Sequence, residues 1–591
     1  MTVPSGETVS SASNLAVRLL AGAAEHPDRE AVRQGDETIT YRALETAVRS
    51  AAARLRGLGV VPKDRVALLF GNDHRFVEAL LAVIWIGAVA VPLNTRAGRT
   101  ALQHVMADAR PTVLLSHEPL ADRAAELAAL TGGVVDGGQH RGRAAESGSP
   151  AGTVPVLLAC PGGWRAEGPG DRAPSTAPDR AAHSAAGEVS DTTATIPHDA
   201  RAVGGQSAPA PVRTEDICLQ PYTSGSTGSP KGCLLTHGGQ YWNASTVAQV
   251  WQLRADDRGL ITAPLYHKNA MICVLKPLLL VGGTIVIGRS PDPADIPAEV
   301  AAHRCTYTTG VPATYEMLLA GGAHRTEDLT SLRFVICGSA PLSESVGRRF
   351  AAGLGVPVIE AYGLTEGGPQ VLMNPRTDSP RYGVAGRPLP GCEVKLLDLA
   401  QMPATAVADL PEVPHGTVGD MWVRNPGVTA GYHRLPQVTR ERLSVDGWLR
   451  TGDLGAAEPD GYFRVLGRAD DMMNVGGENV YPLEVEQLLA TMPGVGQVAV
   501  VPVRHERKGQ VPVAFVVADG PGEDEVKQFA LRHGPAHAHP RRVWLLESLP
   551  LGGTGKVDYE RLAEVAEHNL ARSALTENTR AGESPAEEGR G

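Results

Sequence analysis

The chain of 591 residues has few cysteines, few aromatic residues, no long apolar run and no basic stripe, and most of these shortages remove a class of function. Its seven cysteines, Cys160, Cys218, Cys233, Cys273, Cys305, Cys337 and Cys392, are scattered, odd in number and never spaced C-x-x-C. That excludes a disulfide scaffold or a zinc ribbon and points to the reduced thiols of a cytoplasmic protein. The longest apolar stretch, 79–93, is short for a bilayer and is interrupted by Gly87 and Pro92, so it reads as a buried helix feeding a strand and no membrane span is expected. The opening MTVPSGETVSSASN has neither a basic start nor an apolar run, so no secretory leader is expected. The formal net charge is -10, and no Lys/Arg stripe interleaves with aromatics, so a nucleic-acid partner is not expected either. The aromatic share of 4%, beside many Ala, Gly, Arg and Pro residues, looks like coding bias and decides nothing about function.

What is present is an ordinary globular composition, 42% apolar and 20% charged, on a chain too long for one core, so two or three domains are expected. Helical and extended patterns alternate early: a helix over 41–58, a strand over 65–70, a helix over 74–86 and a strand over 88–93. A second series places strands near 260–263, 284–287, 306–309, 334–337 and 356–360. This rhythm predicts an α/β class protein with a large N-terminal domain of layered, helix-covered parallel sheets. After residue 467 a smaller α+β unit is expected, with strands at 498–503, 513–518 and 543–547 and helices at 482–491 and 523–532. The expected domains are therefore 1–467, 468–570 and a disordered tail 571–591, with a hinge at 468–471. Between about 131 and 213 the composition shifts to Gly, Ala, Pro, Ser and Asp apart from a strand-like run at 153–159, and 161–213 reads as a disordered insertion in the first domain.

The most informative string is YTSGSTGSPKG at 222–232, directly after a short strand at 217–220. Thr223, Ser224, Gly225, Ser226, Thr227 and Gly228 offer hydroxyls and unhindered backbone N–H groups that can wrap phosphate oxygens, and Lys231 adds charge. The string is not the G-x-x-x-x-G-K-[ST] loop, because Lys231 follows Pro230 and precedes Gly232.

This segment resembles the phosphate-loop signature of the adenylate-forming superfamily of acyl-CoA synthetases, stand-alone adenylation enzymes and luciferases. Further strings match in the same order: GSAPL at 338–342, YGLTE at 362–366, GRPLPG at 386–391, GWLRTGDL at 447–454, GRADDMMNVGGENVYPLEVE at 467–486 and LPLGGTGKV at 549–557. The resemblance covers about 14–562 apart from the insertion, and implies a large core domain, a small mobile C-terminal domain, and ATP, Mg2+ and coenzyme A as cofactors. It implies that a carboxylate attacks the α-phosphorus of ATP while pyrophosphate leaves, so that catalysis is positioning plus neutralisation of growing charge.

Residue by residue, the resemblance assigns Glu366 to the magnesium ion, a hard oxygen donor for a hard cation, and Thr365 to the α-phosphate. Tyr362 would stack on the adenine, and Gly363, Gly338, Ser339 and Ala340 would belong to the same cofactor-binding set. Asp453 and Arg468 would hold the ribose, and Lys556 would bridge the carboxylate and the α-phosphate. Gly476 and Gly477 would line the pantetheine tunnel, where missing side chains leave room for a thin chain.

The acyl pocket is expected at PLYHKNA, 264–270, and TTGVPATY, 308–315, with His267 as a gate residue. Amino-acid-activating relatives carry an Asp where His267 aligns, so an amino acid is disfavoured. Lys268 and Asn269 stand where small or apolar residues are usual, and suggest an aryl or polar acid. The partners expected are a small carboxylic acid and CoA. The alternatives are a carrier protein or another nucleophile as acceptor, or a nucleotide-binding regulator without turnover.

Overall fold

The computed structural model describes residues 9–130, 154–160, 163–167, 208–224, 229–340, 342–376, 380–398, 406–552 and 556–582. Two sheets dominate the first 390 residues. One has seven strands, with Arg65–Leu69 at its centre between Val89–Pro92 and Val113–His117, all parallel. The other has nine, with a parallel centre built from Thr284–Ile287, Arg258–Ile261, Tyr307–Gly310, Phe334–Gly338 and Val358–Tyr362. Strands such as Val113–His117 and Phe334–Gly338 are buried at every residue, as a parallel sheet covered on both faces requires.

The core cluster between the sheets draws in apolar residues of both, together with the helices His74–Trp85, His237–Val250 and Lys276–Val281. Capping fixes where these helices begin: Asp73 and Thr236 each accept a backbone N–H of the first turn. Two further clusters lie on the outer faces, under the helices Arg99–Ala109 and Ala121–Leu130 on one sheet and Pro312–Gly321 and Glu344–Leu354 on the other. These are the layers expected of an α/β protein.

A four-stranded antiparallel sheet follows, Glu393–Leu397, Gly419–Arg424, Leu449–Ala457 and Phe463–Arg468, which periodicity did not single out. Beyond it the chain makes a separate five-stranded sheet with its own core cluster, on the long hairpin Val495–His505 and Gly509–Ala518. Helices Pro482–Leu489 and Glu523–His533 start where expected.

Two expected boundaries are corrected. Within the stretch expected to be a disordered insertion, Gly163–Glu167 pairs with Val156–Cys160 and buries Trp164, and at its far end Ala210 and Val212 are buried, Val212 bridging Ser10. Residues 168–207 lie outside the described residues. At the other end of the chain, the helix Tyr559–Gly582 runs past residue 571, where an unstructured tail was expected to begin, and 583–591 lie outside the described residues. Among the described residues no helix is long and apolar enough to cross a membrane, and Cys218, Cys233, Cys273, Cys305, Cys337 and Cys392 are free and buried.

Candidate active site

The phosphate loop is carried by a hairpin. Tyr222–Ser224 pairs antiparallel with Pro230–Gly232, setting Thr223 opposite Lys231. Helix Arg99–Ala109 anchors both arms: Tyr222 donates to Asp108 at 2.6 Å, and His104 lies 3.0 Å from the Pro230 carbonyl. Gly225, Ser226, Thr227 and Gly228 at the tip lie outside the described residues, as does the side chain of Ser224.

Thr223 donates its hydroxyl to Glu366 at 3.0 Å, and Tyr432 donates to the same carboxylate oxygen at 3.3 Å. Glu366 sits in the short 3-10 turn Thr365–Gly367 just after the strand end at Tyr362, which brings both Thr365 and Glu366 to the cavity. Gly363, between that strand and the turn, is a close-approach glycine, since a Cβ there would lie 2.0 Å from the Pro369 carbonyl oxygen. A partly open carboxylate with two hydroxyl neighbours, facing the root of a phosphate loop, suits a hard, oxygen-seeking cation such as magnesium.

Tyr362 donates its hydroxyl to Asp453, and Arg468 donates to the other oxygen of Asp453 at 3.1 Å. The pairing is dictated by the sheet, because Asp453 and Arg468 are opposite each other on adjacent strands. Gly338, Ser339 and Ala340 follow the end of strand Phe334–Gly338, and Ser339 holds a left-handed φ of 66°, a strained state that clusters at binding sites. Gly338, Ser339 and Gly363 line a small side cavity of about 20 Å³ with Lys268 and Gln370.

The main cleft is a cavity of about 1290 Å³ that brings together Thr223, Lys231, His267, Thr365, Glu366, Arg468 and Lys556. Lys556 enters from the C-terminal unit, just before helix Tyr559–Gly582. Burial pushes its ammonium down, and the charge of Asp453 opposes that shift while that of Arg468 adds to it.

His267 caps the helix start at Lys268–Ala270, its Nδ1 accepting from the Asn269 N–H at 3.4 Å. Burial, then the charges of Lys268 and Lys556, push its imidazole down to about 3, so the ring is neutral at ordinary pH. Lys268 donates to the Gly363 carbonyl at 2.5 Å, and burial beside Lys556 pushes its ammonium down to about 8. Asn269 instead accepts from Thr309 at 2.7 Å and is buried away from the main cleft.

Gly476 and Gly477 do not join this cleft. They form the turn of the hairpin Met473–Val475 and Glu478–Val480 with φ of 67° and 99°, as a tight two-residue turn demands, and both are exposed. This pose therefore gives Lys556 to the cleft and leaves the glycine turn outside it.

The AMP-binding enzyme family profile matches residues 19–433, and the AMP-binding enzyme C-terminal domain profile matches 484–556. The chain belongs to the AMP-binding enzyme family. It is an AMP-forming ligase of the acyl-CoA synthetase type, acting on a carboxylic acid with ATP, Mg2+ and coenzyme A. It is 35% identical to feruloyl-CoA synthase of Amycolatopsis sp over 90% of this chain and 94% of that one. It is 31% identical to indoleacetate–CoA ligase of Aromatoleum aromaticum, over 94% and 97%. Among solved structures, ATP-bound MatB of Rhodopseudomonas palustris superposes with a TM-score of 0.76 at 28% identity, covering 94% of this chain and 98% of that one.

Three contributors to this family member's cleft were missed by motif reading. Tyr432, on Glu366, has no motif around it to signal it. Lys276 and Gln240 also line the cavity, and a lone lysine inside the apolar run MICVLKPLLL was a signal that could have found the first of them.

Proposed function

We propose that this ligase activates an aryl or polar carboxylic acid and passes it to the thiol of CoA in the cytoplasm. The observation that carries the reading is the convergence of Thr223, Glu366, Lys556 and Arg468, the last bonded to Asp453, on one cavity where His267 stands in place of an Asp for a substrate amine. Feruloyl-CoA synthase and indoleacetate–CoA ligase, both named for aryl acids, support the substrate class. The free, buried cysteines support a reducing compartment.

In the first half-reaction a carboxylate oxygen bonds to the α-phosphorus and the bond to pyrophosphate breaks. Asp453 and Arg468 orient the ribose, Thr365 donates to the α-phosphate, and the phosphate loop with Lys231 holds the leaving group. Lys556 sits between the two anions, where its charge is worth most as the transition state forms. A magnesium ion held at Glu366 would offset phosphate charge. In the second half-reaction the CoA thiol, losing its proton, attacks the acyl carbon and AMP leaves. Gly476 and Gly477 would serve that step after the C-terminal unit turns about 468–471, because the pose with Lys556 in the cleft keeps them outside it.

The test is an ATP-consumption screen over carboxylic acids with CoA present, reading AMP and acyl-CoA together. Acyl-CoA from an aryl acid is the expected result. Acyl-adenylate that persists with CoA and is discharged only by a carrier protein or an amine would overturn the acceptor and leave adenylation standing. Absence of pyrophosphate exchange with every acid would leave the non-catalytic, nucleotide-binding reading.

A further inference from the structure

The helix that starts at His267 changes winding midway: Lys268–Ala270 is α-helical, Met271–Leu275 is π-helical, and Lys276–Val281 is α-helical again. Such wide turns are uncommon and often sit at functional sites. Here the turn delivers Lys276, which is 3% exposed, to the wall of the main cavity. Its ammonium donates to Gln240 Oε1 at 2.5 Å. Burial pushes it down to about 8, and among the described residues the titratable groups that act on it are the thiols of Cys218 and Cys273. Burial pushes both thiols up to about 12, so they stay protonated and cannot neutralise it.

A buried ammonium without an anion is costly, and it retains two N–H donors after its bond to Gln240. Gln240 is fully buried, lines the same cavity, and its Nε2 has no partner. Two neighbouring side chains thus stand at one wall of the cavity with donors for which the described residues provide no acceptor. Buried donors in native proteins are almost always satisfied, so the missing acceptor is expected to arrive with a ligand.

We propose that Lys276 and Gln240 read a phenolic oxygen at the far end of an aryl carboxylic acid whose carboxylate lies between His267 and Lys556. The inference deepens the aryl-acid reading above and rests on it. Eight residues of helix separate Lys268 from Lys276, roughly 10–12 Å at an α-helical rise. That is the reach of an aromatic ring plus a short unsaturated arm, and is too long for a two- or three-carbon diacid. The wall between is apolar, with Leu219, Leu235, Met271 and Ile272 lining the cavity, which suits a flat hydrocarbon body with one polar tip.

The test compares kcat/KM for acyl-CoA formation from a para-hydroxylated arylpropenoic acid, its unsubstituted parent and its para-carboxy analogue. It is run on the wild type, Lys276→Met and Gln240→Glu. The ratio of hydroxylated to unsubstituted acid is the readout, since it is insensitive to the folded fraction of a variant. About 10- to 100-fold is expected for the wild type, from a charge-assisted hydrogen bond to a buried donor pair. Lys276→Met removes the cation, and Gln240→Glu gives it an internal anion, so both variants should bring the ratio to within about 3-fold of one. A wild-type ratio near one, or a ratio unchanged in both variants, overturns the proposal while leaving the aryl reading intact. Preference for the para-carboxy acid replaces the phenol with a second anion. Turnover of aliphatic acids with no turnover of any aryl acid overturns the aryl reading and this inference together.

Discussion

The cleft and the C-terminal unit both bury titratable side chains, and they satisfy them differently. In the C-terminal unit Glu486 is 9% exposed, accepts the Val500 N–H at 2.8 Å and the Tyr559 hydroxyl at 3.1 Å, and so has its partners within the unit. In the cleft Lys268 and Lys276 each have one neutral protein acceptor, and the cavity beside them is where charge would be completed. A buried titratable group satisfied from within serves the fold, whereas one left short of partners at a cavity wall waits for substrate.

The strongest attempt to break this comparison removes the cation that the C-terminal unit lends to the cleft. Lys556→Ala should lower adenylate formation, measured by pyrophosphate exchange, by about 100- to 10,000-fold. Thioester formation from supplied acyl-adenylate should stay near wild type, because this charge belongs to the first transition state. Equal losses in both half-reactions would show that Lys556 holds structure instead.

A smaller effect is expected at the join. Asp470 lies in the 3-10 turn Ala469–Asp471, whose φ range proline also adopts, so Asp470→Pro should hold the pose with Lys556 in the cleft. Pyrophosphate exchange should stay within about 3-fold while acyl-CoA release slows by about 10-fold or more. Parallel loss of both would place the turning point elsewhere.

Glu486 tests the other side of the contrast. Burial raises its carboxyl from 4.5 to about 7, so the folded chain holds a proton that the unfolded chain releases between those values. Its contribution to stability is therefore present in full below about 4.5 and is lost as pH rises through about 7, by roughly 3 kcal/mol at most. Glu486→Gln removes that slope, so the fall in melting temperature from pH 5 to pH 8 should be smaller than in the wild type. The same slope in both proteins would mean that Glu486 is already ionised when folded.

The smallest effect is expected outside both regions. Replacing residues 168–207 by a short Gly/Ser bridge should leave melting temperature and exchange activity near wild type, because that sequence carries little apolar surface. Extending the deletion to 161–213 removes the Trp164 strand and the Val212 bridge, and should lower the melting temperature by several degrees. If both deletions melt alike, the described ends of this stretch contribute nothing to stability.

The strands at 65–69, 89–92, 284–287 and 334–338 were legible because a strand buried on both faces must be a continuous apolar run, whatever it packs against. The strands of the sheet spanning 393–468 carry charged and polar residues on a half-open surface, so their periodicity is weak, and only the pairing of Asp453 with Arg468 shows what they position. The sequence also determined the glycine strings, since turns with positive φ, as at Gly476 and Gly477, and close backbone approaches, as at Gly363, admit few residue types. Tertiary structure alone decided that Lys268 turns to the Gly363 carbonyl, that Asn269 turns away to Thr309, and that Lys276 faces Gln240 across 36 residues of chain. Where a long side chain finds its partner depends on which backbone folds back beside it, and local sequence does not encode that.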